Sequence, residues 1–252
     1  MTRELPFKTH SPKEAFKHLN ILIYGHAGTG KTVFTGSAGA CPETSPLLLL
    51  DAEAGSKSIY ATLGDVDVSV RPIDNFTDDI GEVFQYLSGS GSDDSHPFRS
   101  VAWDSCTELQ KRCMSGIMRQ SLMTKPEHDP DVPEMLDWMR NQERMRKALR
   151  YYRDLPMTFI VTCLAHRDKD ETTGRVMTMP ELPGKLAGEV PGYFDIVGYL
   201  TASNTEDGIE RRMHVQPSGN FVAKDRTNAL PPVVVNPTIS MIYDLIAEKH
   251  SE

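Results

Sequence analysis

Cysteine is scarce in this chain of 252 residues: Cys41, Cys106, Cys113 and Cys163 form no CxxC pair and have no histidine at a spacing that would cage zinc. A disulfide framework and a zinc module are excluded, and reduced thiols in a cytoplasm are expected. Cys106, Leu109, Cys113 and Ile117 follow helical spacing, which assigns the two thiols to a buried apolar face. Long hydrophobic runs are also missing. The longest aliphatic stretch is Leu47 to Leu50, whereas a bilayer span needs ~20 residues. The opening MTRELPFKTHSPKEAF lacks the apolar core of a secretory signal, so neither a membrane partner nor export is expected. Positive charge is in deficit, with 27 Lys and Arg against 35 Asp and Glu and a net charge of -8. Coating of nucleic acid by bulk charge is therefore excluded, although a local basic surface is not.

The 39% of hydrophobic residues is enough, at this length, for a sizeable core. Short apolar runs at 21–24, 47–50, 66–70, 100–103 and 157–163 read as strands, most of them continuously apolar, as strands buried on both faces must be. Between them, helical periodicity predicts helices over 31–40, 75–87, 105–122 and 133–154. The last carries Met135, Trp138, Met145, Leu149 and Tyr152 as an apolar stripe. The alternation predicts an α/β fold, a mostly parallel sheet with helices on both faces. Strands over 196–201, 210–216 and 220–224, separated by turn sequences, are expected to add antiparallel pairing at the C-terminal end, followed by a helix around Ile239, Ile242, Leu245 and Ile246. Residues 88–97, 121–134 and 166–192 read as loops and 1–17 as a tail, within one domain over 1–252. With about 18 residues before the first strand, a folded N-terminal domain is not expected.

Gly25-His26-Ala27-Gly28-Thr29-Gly30-Lys31-Thr32 fits G-x-x-x-x-G-K-[ST], and it follows a strand and opens a helix. Backbone N–H groups of such a loop, continuing into Val33, converge on phosphate oxygens, and glycine permits the close approach. Lys31 can bridge the β and γ phosphates of ATP, and the Thr32 hydroxyl can ligate Mg²⁺. A second oxygen ligand is expected from a neighbouring strand, and SVAWDS supplies Asp104, with Ser105 as cap of the following helix.

GHAGTGKT, LLLLDAE, SVAWDS and VAKDR together resemble the RecA- and DnaB-like P-loop ATPases, and among them the phage-encoded AAA-domain proteins that include RecA-like single-strand annealing ATPases. The resemblance spans residues 18–250 in element order and implies a RecA-like core. It also implies Glu53 as the base that orients the attacking water, with Asp51 the weaker rival. His166 takes the place of the polar γ-phosphate sensor, commonly Gln in that family. Lys224 and Arg226 match the basic pair that reaches a neighbouring subunit's nucleotide, so that a homo-oligomer is implied and hydrolysis depends on assembly.

The same resemblance assigns single-stranded DNA to the segments 121–134 and 166–192, the second offering Arg167, Lys169, Arg175 and Lys185. With hardly any aromatic platform there, binding would rest on backbone charge and fall with salt. A single-strand binding protein is a further possible partner. Between Arg140 and Arg153 stand five arginines, one lysine and a single acid, a second basic strip. Two other readings of the P-loop stay open: a nucleotide-dependent assembly switch in replication or packaging, and a small-molecule kinase, whose arginine-rich lid the sequence does not offer.

Overall fold

The computed structural model describes residues 17–89, 96–169, 174, 176–206 and 208–251. Residues 1–16, 90–95 and Arg175, which belong to the expected tail, first loop and basic segment, lie outside the described residues.

Six strands form the parallel heart of a ten-stranded sheet: β1 (Asn20–Gly25), β2 (Leu47–Asp51), β3 (Val68–Pro72), β4 (Ser100–Asp104), β5 (Thr158–Lys169) and β7 (Ile196–Thr205). They are ordered β7-β1-β5-β4-β2-β3. Antiparallel additions are β6 (Val176–Pro180) on β5, β8 (Gly208–His214) and β9 (Lys224–Asp225) on β7, and β10 (Val233–Val235) on β8. The helices are α1 (Lys31–Gly36), α2 (Lys57–Leu63), α3 (Phe76–Ser88), α4 (Cys106–Thr124), α5 (Met135–Arg153), α6 (Leu186–Glu189) and α7 (Ile239–Ser251). The expected mostly parallel sheet with helices on both faces and C-terminal antiparallel strands is the observed fold.

Alternation along each central strand explains the continuous apolar runs. Leu22, Tyr24, Leu48, Leu50, Val101, Trp103, Phe159 and Val161 pack on one side with α3, α4 and α5. Ile21, Ile23, Leu47, Leu49, Ala102 and Ile160 pack on the other with Phe34 of α1, Ile59 of α2 and Ile239, Ile242 and Ile246 of α7. All four cysteines are buried free thiols, and Cys106 and Cys113 lie on the inward face of α4 with Leu109 and Ile117.

Three expectations are corrected. Residues 166–192 are not one loop: β5 runs on to Lys169 and pairs with β6, and α6 and a 3-10 turn over Val190–Tyr193 follow. The pairing escapes the hydrophobic pattern because residues 166–169 are exposed, so alternation has nothing to record. Helix α4 continues to Thr124 and shortens the second loop. The strand expected over 220–224 is confined to β9 at Lys224–Asp225, while β7, antiparallel to β8 and β9 as expected, also pairs in parallel with β1 over Ile196–Tyr199.

The turn between α4 and α5 is fixed by a buried polar cluster. Asp137 accepts hydrogen bonds from Ser121 Oγ at 2.7 Å, Glu134 N at 2.9 Å and His128 Nε2 at 2.8 Å, while His128 Nδ1 donates to Asp129 O at 2.8 Å. Both ring nitrogens face acceptors, an arrangement that favours the imidazolium over the neutral ring. The Asp129 carbonyl first and the Asp137 carboxylate second raise the His128 pKa. This contribution to stability is complete below the ordinary histidine value of ~6.5 and is lost as pH rises through the higher folded-state value. A chemical-denaturation series from pH 6 to 9 is expected to show a decline that His128→Gln lacks; parallel curves for the two chains would refute the cation.

Candidate functional site

The site lies at the C-terminal edge of the parallel strands. Gly25 ends β1, and a Cβ there would stand 2.3 Å from Leu200 O, so the chain passes β7 too closely for a side chain. His26, Ala27 and Gly28 form the exposed tip, Thr29 Oγ1 donates to His26 O at 2.9 Å, and Gly28 and Gly30 have φ of 79° and 95°, which favour glycine. Lys31 folds back under this arch: Nζ donates to Gly25 O and His26 O, each at 3.0 Å. Burial pushes its pKa down, against the opposing pull of Asp104 and Glu53. Val33 continues the turn into α1.

β4 and β2 bring three further residues to the same edge. Asp104, 1% exposed, accepts from Thr32 Oγ1 at 2.6 Å and from Thr162 Oγ1 of β5. Its pKa is raised by burial, while the two hydroxyls oppose the rise. Ser105 rather than Asp104 caps α4, accepting from Glu108 N at 3.3 Å, and its hydroxyl donates to Glu53 Oε1. Glu53 is exposed and acts electrostatically on both Lys31 and Asp104. Asp51 is committed elsewhere: its carboxylate accepts from Glu53 N at 3.0 Å, Ser56 N at 3.1 Å and Gly55 N at 3.3 Å, holding the loop in which Ala54 sits at φ 57°. The two rival carboxylates thus have different tasks, one shaping the loop and one facing the site.

Among the described residues no group of three or more His, Cys, Asp or Glu side chains could hold a metal ion unaided. Asp104 and Thr32 are a carboxylate and a hydroxyl, hard oxygen donors of the kind that Mg²⁺ combines with phosphate oxygens and water. Gly55 leaves room beside them, since even a Cβ there would stand 3.5 Å from Thr32 Oγ1 and 3.9 Å from Asp104 Oδ2. The pair fits such an ion.

The other expected residues are dispersed. His166 is exposed on β5, two positions past Leu164, the partner of Gly25 in the register, and so lies on the P-loop's edge of the sheet. Lys224 and Arg226 lie back from the P-loop, Lys224 level with the middle of β1 and Arg226 at the opposite edge, where its backbone N–H donates to Asp195 O at 2.9 Å. Lys224 pairs with Val197, which pairs with Leu22, three residues before Gly25, a strand distance of ~10 Å. Lys224 Nζ donates to Pro191 O at 2.7 Å, and Arg226 donates to Gly192 O at 2.9 Å and Asp195 Oδ1 at 3.3 Å. Burial, and then Arg226, lower the Lys224 pKa to about 8.

Arg167 and Lys169 share one face of the exposed end of β5, and Lys185 is exposed just before α6. The basic strip of α5 is largely engaged within the chain: Arg146 with Glu143 and Glu189, Arg153 with Asp154, and Arg150 over the Tyr193 ring. One residue near the P-loop was not anticipated, Arg211 of β8, whose Nε would stand 2.3 Å from a Cβ on Gly30.

Among the described residues no helix is long and apolar enough to cross a membrane. No curated protein matches the chain. Among solved structures it is similar to the flagellar accessory protein FlaH from Methanocaldococcus jannaschii, at 11% identity over 88% of this chain and 87% of that one, with a TM-score of 0.42. It is similar also to a KaiC-like protein from Pyrococcus horikoshii, at 13% identity over 87% and 89% of the two chains, with a TM-score of 0.44. The family described as AAA domain matches residues 17–227. That match takes in the P-loop, Glu53, Asp104 and every strand of the sheet but β10, and the chain belongs to the AAA domain family of P-loop nucleotide-binding proteins.

Proposed function

We propose that the protein is a Mg²⁺-dependent ATPase that acts on single-stranded DNA in annealing or recombination and turns over as a homo-oligomer. The observation that carries this reading is the convergence of Lys31, Thr32, Asp104 and Glu53 at one edge of the sheet. The amides from Gly25 to Val33 cradle the phosphates, and Lys31 supplies the compensating charge. Thr32 and Asp104 would hold Mg²⁺, which when bound neutralises charge on the phosphate oxygens. Glu53 takes the part of base, needing only its ionised form and reach to the water. His166 is the polar group for the γ phosphate.

Lys224 and Arg226 reach only a neighbour's nucleotide under this reading, because they lie back from their own P-loop. An arginine supplied between subunits is worth ~10³–10⁵ in rate in other NTPases. Their engagement with Pro191, Gly192 and Asp195 favours a second reading, a nucleotide-dependent assembly switch with slow turnover. DNA is assigned to Arg167, Lys169 and Lys185, with Arg175 beside them in sequence, and a single-strand binding protein is a partner on the same strand.

ATP turnover with and without single-stranded DNA at low salt tests the proposal. DNA is expected to stimulate turnover, and the effect is expected to fade with salt. Unchanged turnover at saturating DNA of every length would remove the DNA role and leave the switch.

A further inference from the structure

Two strands from β1, on the side away from Asp104, β8 carries an arginine onto the P-loop. Arg211 pairs with Ala202 of β7, three residues beyond Tyr199, which is level with Tyr24. It therefore stands past the end of β1, on the edge where the loop begins. Its backbone is held on both sides by Asn236: Arg211 N donates to Asn236 Oδ1 at 2.9 Å, and Asn236 N donates to Arg211 O at 2.7 Å. A Cβ added to Gly30 would meet Arg211 Nε at 2.3 Å, Cδ at 2.8 Å and Cζ at 3.3 Å, so the side chain packs against the loop at the residue before Lys31.

Among the described residues nothing explains the charge placed there. Arg211 Nε is buried and has no hydrogen-bond partner, and among the described residues no acid forms an ion pair with this guanidinium. The neighbouring Arg212, by contrast, is paired with Glu210 at 2.6 Å. Orienting a guanidinium costs side-chain entropy, and leaving a buried donor unpaired costs more. Both costs are offset when an anion occupies the loop beside it. Arginine suits that task, since its planar fork matches phosphate oxygens.

We propose that Arg211 is a cis-acting contact to the phosphate chain of the bound nucleotide, on the flank of the P-loop opposite Thr32 and Asp104. The inference rests on the P-loop reading above, and it adds a cation that comes from the same chain and needs no neighbour. Lys31 and Arg211 then grip the phosphates from within and from beside the arch. Lys224 and Arg226, back from the P-loop, would serve a neighbouring copy only after exchanging their bonds to Pro191, Gly192 and Asp195. Nucleotide affinity would be complete in a single chain, whereas turnover would await assembly.

The test is calorimetric titration of ATP-Mg and ADP-Mg into the full chain, with Arg211→Met, Arg211→Lys and Lys31→Ala alongside. Methionine keeps an unbranched stem against Gly30 and removes only the charged fork. Arg211→Met is expected to weaken both nucleotides by about tenfold to a hundredfold, with Arg211→Lys in between and the nucleotide-free unfolding temperature no lower than the parent's. If the parent binds ATP, Lys31→Ala does not and Arg211→Met binds like the parent, the inference falls while the P-loop reading stands. If Arg211→Met lowers the nucleotide-free unfolding temperature and leaves affinity intact, Arg211 is only packing and the inference falls again. A parent that binds no nucleotide removes both.

Discussion

Glu53→Gln is expected to bind ATP-Mg like the parent chain and to hydrolyse it about 10²- to 10⁴-fold more slowly, the range over which a positioned base acts. The substitution is conservative in the sense that matters here. Glutamine retains an oxygen that can accept from Ser105 Oγ, so the link between the β2 loop and the cap of α4 survives while the basic oxygen is lost. Asp51 cannot take over without giving up the backbone amides of Glu53, Gly55 and Ser56 that it holds. Single-turnover hydrolysis, measured beside equilibrium binding, separates the two effects. Equal turnover in the variant would reject Glu53 as the base.

The largest effect on stability is expected at Trp103. It is fully buried, with its ring centroid 4.9 Å from Tyr152, 5.5 Å from Phe159 and 6.2 Å from Phe76, three edge contacts that join β4 to β5, α3 and α5. Trp103→Ala would leave a cavity and cost ~3–5 kcal/mol, out of a total that for most domains is only ~5–15 kcal/mol. Because the next residue is Asp104, the same change loosens the carboxylate that Thr32 and Thr162 hold. Trp103→Phe should cost much less, because the indole N–H has no hydrogen-bond partner and its removal leaves no acceptor orphaned. Urea unfolding of the two variants checks the order. Equal losses would mean that ring volume is not what holds β4.

How much of this was legible in the sequence depends on whether the signal is local. GHAGTGKT is contiguous, and strand, arch and helix follow one another, so the site's centre could be read directly. The β2 and β4 strands announce themselves as apolar runs because both of their faces are covered. Asp51 and Glu53 could not be ranked by composition, since the difference lies in which backbone amides curl around Asp51. The β5–β6 pairing was hidden because the paired end of β5 is exposed from residue 166 on and β6 is only five residues long. The place of Lys224 and Arg226, back from the P-loop, follows from the parallel register of β7 on β1, a long-range fact with no local trace. Arg211 meets Gly30 only after β7, β8 and β10 have assembled, and its residue type in an exposed-looking hairpin gave no hint of that contact.

The central claim is that the arch from Gly25 to Thr32, with the Lys31 ammonium beneath it, grips a triphosphate. Titration of ATP-Mg into the parent chain and into Lys31→Ala tests it most directly. The account predicts saturable binding by the parent and a loss on the order of a hundredfold in the variant. Binding of equal strength by both chains would contradict it.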